Sequence, residues 1–72
     1  MEKTRLESVR MENDSRKIIK RLEADGWILV RIKGSHHHFK RPDVPEIITV
    51  KHPERDLTPG LVASIYKIAG WK

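Results

Sequence analysis

Two spacings of apolar residues alternate along the chain, one helical and one with a period of two, and the switches between them mark its elements. Behind Asn13, Asp14 and Ser15, all good N-cap residues, Ile18, Ile19 and Leu22 share one stripe while Lys17, Lys20, Arg21 and Glu23 face elsewhere. Gly26 stands where a left-handed C-terminal residue belongs, so the spacing predicts a first helix over residues 14–25. Residues 27–32 are β-branched and aromatic and read as a strand. Ile28, Val30 and Ile32 take one of its faces, and Trp27, Leu29 and Arg31 the other. Gly34-Ser35 turns the chain into a second strand over residues 36–41, where His37 and Phe39 point one way and His36, His38 and Lys40 the other. Pro42-Asp43-Val44-Pro45 interrupts it, because proline lacks the ladder donor. Residues 46–51 supply a third strand, ended by His52-Pro53.

A second helix opens at Thr58-Pro59, with Thr as N-cap and Pro at the first helical position, where it has no needed N–H to lose. Leu61, Ile65 and Ile68 form its buried stripe, Val62 and Ala69 lie on the margin, and Gly70 stops it. The order is α-β-β-β-α. Two helices on one face of a three-stranded antiparallel sheet is the economical way to bury these stripes, which makes the chain α+β. Phe39 is the most apolar residue of the second strand, so its face packs under the helices. By alternation His36, His38 and Lys40 then lie on the open face, and a one-residue bulge after Gly34 would exchange His36 for His37.

Length and composition narrow what such a fold can do. Seventy-two residues make one domain with a small core. Residues 1–13 are charged and almost free of apolar periodicity; they read as a frayed or briefly helical extension without assigned function, and residues 14–72 as the domain. The absence of cysteine rules out disulfide staples and Cys-based zinc sites. No apolar run approaches the roughly 18 residues of a membrane span, and the polar N-terminus lacks a signal-peptide core, so a cytoplasmic protein with no membrane contact is expected. The net charge is +5, and the excess is concentrated. Between Arg16 and Arg41 eight basic residues face only Glu23 and Asp25. That segment carries a positive field suited to an anionic partner such as a nucleic-acid backbone.

Within that field lies Lys33-Gly34-Ser35-His36-His37-His38-Phe39-Lys40. Histidine, with an ordinary pKa of about 6.5, can take or give a proton near neutral pH. Three imidazoles among cations therefore point to acid–base chemistry on a phosphodiester. RNA brings its own nucleophile, the 2′-hydroxyl, so one positioned imidazole beside Lys33, Lys40 or Arg31 suffices without a metal or other cofactor. The blander reading is a polar strand with solvated histidines. His36 and His38 are also a feasible metal-ligand pair, but only His52 or Asp43 is near enough in sequence to join them, and no metal site is assigned.

Several blocks resemble the HicA family, the toxin half of HicA–HicB toxin–antitoxin pairs. They are Leu22-Glu23-Ala24-Asp25-Gly26-Trp27, the Lys33 to Lys40 block, Thr49-Val50-Lys51-His52-Pro53, Asp56-Leu57-Thr58-Pro59-Gly60-Leu61 and Ile68-Ala69-Gly70. The resemblance runs from about Ser15 to Trp71. It departs at Lys51, where relatives often have proline, and in the longer extension before Ser15. It implies a fold like the double-stranded-RNA-binding domain, a ribonuclease that cleaves messenger RNA and arrests growth, and a HicB antitoxin that masks the active site. It implies that the catalytic histidine is the one in the Gly-Ser-His block, His36, with His37 the alternative if the alignment slips by one.

Other residues have open roles at this level. His38 and His52 are candidates for a second proton-transfer group. Lys17, Lys20 and Arg21 of the first helix, with Arg31, Lys33 and Lys40, are the candidate RNA-binding cations, and Arg16 belongs to the same basic helix face, which is otherwise a solvated one. Trp27 and Trp71 either stack on bases or rim the core, and Tyr66 is structural. A catalytically silent RNA-binding module of the same fold is the rival reading, and a metal-binding interaction domain a weaker third.

Overall fold

The computed structural model describes residues 12–71, so the extension expected over residues 1–13 lies outside it except for Glu12 and Asn13, as does Lys72. Five elements follow in the order α1 (Ser15–Ala24), β1 (Ile28–Lys33), β2 (His36–Arg41), β3 (Val44–Lys51) and α2 (Pro59–Ala69). The strands form one antiparallel sheet in the order β1-β2-β3. This is the expected α-β-β-β-α arrangement.

Both helices begin on side-chain caps. The Asp14 carboxylate accepts the Arg16 N–H at 3.0 Å, and that bond holds the carboxyl below its usual pKa range. Thr58 accepts the Leu61 N–H, with Pro59 opening α2 and Gly70, at φ 78°, closing it. Ile18 and Leu22 of α1 and Val62, Ile65 and Tyr66 of α2 bury themselves against Phe39, Ile48 and Val50. Trp27 and Leu57 complete the core. Both helices lie chiefly over β3, so all of β1 stays exposed. No helix among the described residues is long and apolar enough to cross a membrane.

Four details differ from the sequence reading. Asp14 and Asp25 flank α1 rather than join it, because each serves as its cap. The turn after β2 is only Pro42-Asp43, and β3 starts at Val44. Pro45 is tolerated inside β3 because β3 is an edge strand, where a missing N–H can face solvent. On α2 the buried stripe is Val62, Ile65 and Tyr66, with Leu61 and Ile68 half-buried, so the helix is rotated toward its supposed margin. Finally, β1 shifts register between Leu29 and Arg31. The extra residue, Val30, puts Ile28 opposite Lys40 and Arg31 opposite His38, which breaks the strict alternation expected of that strand.

Candidate active site

The site grows out of the β1–β2 hairpin. Its loop is two residues long and needs positive φ at the first, which Gly34 supplies at 60°. Closing the loop this tightly sets Lys33 opposite His36, and the next strand adds Lys51 beside His36. Paired residues of neighbouring strands share a face, so Lys33, His36 and Lys51 form one row across the sheet. Arg31, His38 and Thr49 form the next. With Phe39 fully buried on the helix side, both rows stand on the open face, as does Lys40 beyond them. The register shifts fall between Leu29 and Arg31 and between Phe39 and Arg41, not after Gly34, so His36 keeps its place and His37 remains on the core side.

The four histidines have different surroundings. His36 is exposed, and among the described residues no side-chain hydrogen bond holds its ring. His38 is half-buried, with Nδ1 2.9 Å from the Thr49 hydroxyl, which fixes the ring and leaves Nε2 for other partners. His37 packs edge-on against His52, ring centroids 5.0 Å apart, and its buried Nδ1 has no partner among the described residues. His52 Nδ1 lies 2.7 Å from the Ser15 hydroxyl.

Ser15 is the one polar residue of the described chain that is completely buried. Its oxygen also accepts the Glu54 N–H at 2.9 Å, while its own N–H donates to the Glu54 carbonyl at 2.8 Å. The His52 N–H in turn donates to the Ser35 carbonyl at 2.7 Å. A continuous set of bonds therefore runs from the start of α1, through the end of β3, to the turn that presents His36. Sequence reading missed this knot, because Ser15 and His52 are far apart in the chain and Ser15 looked like one more capping residue.

Cations divide between two sides of the molecule. Arg31, Lys33, Lys40 and Lys51 join His36 and His38 on the open face; Lys51 is also 3.7 Å from the Glu54 carboxylate. Lys17 and Lys20 are exposed on α1, in the layer on the other side of the sheet. Arg21 stacks on the Trp71 ring at 4.1 Å and lies 5.6 Å from that of Tyr66. Trp71 is half-buried, donating its indole N–H to Asp25. Trp27 is a core residue and offers no face to a base. Among the described residues no group of three His, Cys, Asp or Glu converges on a point. Neither of the two residues near the His36–His38 pair in sequence joins it: Asp43 is paired with Arg41, and His52 is engaged with Ser15 on the core side.

What this surface can do chemically is bounded by its parts. A free imidazole, a second imidazole held by a hydroxyl, and four cations can bind a phosphodiester, neutralise it and move protons at it. A family model for the HicA toxin of bacterial toxin–antitoxin systems matches residues 15–71. Among solved structures, a chain of a HicA3 and HicB3 toxin-antitoxin complex is 40% identical, with a TM-score of 0.66 over 82% of this chain and 96% of that one. No protein among curated sequences matches.

Proposed function

The chain belongs to the HicA toxin family, and from that premise we propose that it is a metal-independent endoribonuclease, cutting messenger RNA in the cytoplasm and held in check by a HicB-like antitoxin. The solved relative supports the partner, being itself part of a toxin-antitoxin complex. The observation that carries the catalytic reading is His36: an exposed imidazole without a side-chain tether, in one row with Lys33 and Lys51, on a face whose neighbouring row holds His38 and Arg31.

In this scheme the neutral His36 ring takes the proton of the RNA 2′-hydroxyl as its oxygen attacks the adjacent phosphorus. Lys33, Lys40 and Arg31 offset the charge that builds on the phosphate oxygens. The bond to the 5′-oxygen breaks, and His38, steadied by Thr49, donates a proton to it. His38 suits the acid role better than His52, whose Nδ1 is occupied by Ser15 and whose ring packs on His37. Products are a 2′,3′-cyclic phosphate and a 5′-hydroxyl. The lysines of α1 contribute only to RNA that reaches round the sheet edge.

A catalytically silent RNA-binding module would share the cations and need neither imidazole. Purified chain incubated with messenger RNA and a chelator separates the two: cleavage supports the enzyme, and binding without cleavage supports the module.

A further inference from the structure

The positions of the base and the acid set the direction in which an RNA strand crosses the sheet. His36 and His38 are two positions apart on the open face of β2, so their backbones stand about 7 Å apart along the strand. Displacement at phosphorus puts the attacking and leaving oxygens on opposite sides, roughly in line. With His36 at the attacking oxygen and His38 at the leaving one, that line lies along β2. The nucleotide that supplies the 2′-hydroxyl is then at the hairpin end, and the nucleoside that leaves is toward Lys40.

That polarity leaves Lys51 a task of its own. Lys51 ends β3 and pairs with His36 on the open face. Its ammonium lies 3.7 Å from the carboxylate of Glu54, which follows the strand, and the two side chains are 54% and 33% exposed. So open an ion pair is weak, and Glu54 steadies the ammonium at the end of the sheet without taking it from the reach of a phosphate. The scissile phosphate, between His36 and His38, has Arg31, Lys33 and Lys40 to offset its charge. The next phosphate on the 5′ side falls beyond His36, at the end of the sheet. Of the two lysines that flank His36, Lys51 is the one that a carboxylate past the strand end holds in that direction. We propose that the RNA runs 5′ to 3′ from the Gly34-Ser35 turn toward the Pro42-Asp43 turn, and that Lys51 binds the phosphate one nucleotide upstream of the cut. This rests on the ribonuclease reading above, with His36 as base and His38 as acid, and exchanging those two roles would reverse the strand.

The test uses a short RNA centred on the mapped cut site, made with all its phosphates or with one neutral methylphosphonate, placed one nucleotide upstream or one nucleotide downstream of the cut. Cleavage is measured as kcat and KM with full-length wild type, Lys51→Gln and Lys51→Arg, and thermal melting checks that each variant is folded. In the wild type the upstream methylphosphonate should lower kcat/KM by about tenfold, chiefly through KM, as expected for one lost charge-assisted contact. Lys51→Gln should cost a similar factor on the all-phosphate RNA. The upstream replacement should then cost that variant little more, because both changes delete the same contact. Lys51→Arg should keep the wild-type pattern, and the downstream replacement should cost wild type and Lys51→Gln the same factor. Losses from Lys51→Gln and the upstream replacement that multiply overturn the Lys51 contact, as does a loss in Lys51→Arg equal to that in Lys51→Gln. If Lys51→Gln instead cancels the effect of the downstream replacement, the polarity is overturned. A wild type that leaves the all-phosphate RNA uncut removes the ribonuclease reading itself, and the proposal with it.

Discussion

Replacing His36 by alanine removes the one imidazole of the open face that no side chain tethers among the described residues, and with it the group that accepts the 2′-hydroxyl proton. Cleavage should fall by about 10²–10⁴-fold, the usual contribution of a general base, while the melting temperature stays put because the ring is exposed. His37→Ala should instead lower stability, since His37 packs against His52 on the core side. Full activity in His36→Ala with none in His37→Ala would reverse the assignment. Thr49→Val keeps the shape of the residue opposite His38 and deletes its hydroxyl bond. If His38 is the acid, that change should lower the rate of cleavage more than RNA affinity. At this scale the sequence was legible where alternation governs. His36, His38 and Phe39 sit on the faces that period-two counting assigns them. It was illegible at Ser15, whose role depends on a partner 37 positions away.

Elements here are tied together at their ends rather than along their lengths. Ser15→Ala would leave the Glu54 N–H and His52 Nδ1 unpartnered in a buried place, at a cost of about 1–3 kcal/mol, read as a lower denaturant midpoint. Arg41 does the same job at the other end of the sheet. It grips Asp43 with two bonds, at 2.7 and 2.8 Å, and reaches the Asp25 carbonyl after α1 at 3.1 Å. Those bonds from Arg41 hold the Asp43 carboxyl down to about 2. A depressed carboxylate adds stability above its ordinary pKa range and loses it as the pH falls through the folded value. Asp43→Asn should therefore destabilise the fold at neutral pH and make unfolding less steep between pH 4 and pH 2; an acid transition identical to wild type would show that the pair is solvent-screened. Helix starts and stops were readable because caps are local. The bulge at Val30 and the shortened turn before Val44 were not, because register is set by the neighbouring strand.

For the molecule as a whole, the positive field has two sides, and salt can tell which one holds RNA. Binding should weaken with salt, with a log–log slope of about −0.7 for each phosphate contacted on a single strand. Exchanging Lys33 and Lys40 for glutamine should flatten that slope, and exchanging Lys17 and Lys20 should leave it nearly unchanged. The reverse result would move the RNA to the helix layer. The identity of the nucleophile is written in the ends of the cut RNA. Full-length chain is incubated, in the presence of a chelator, with an RNA and with its counterpart bearing 2′-O-methyl groups at the mapped cut site. Attack by the substrate's own hydroxyl predicts cleavage of the first to a 2′,3′-cyclic or 3′-phosphate and a 5′-hydroxyl, and complete resistance of the second. A 3′-hydroxyl with a 5′-phosphate, or cleavage of the methylated strand, would mean that water and not the substrate's own hydroxyl attacks, and would contradict it.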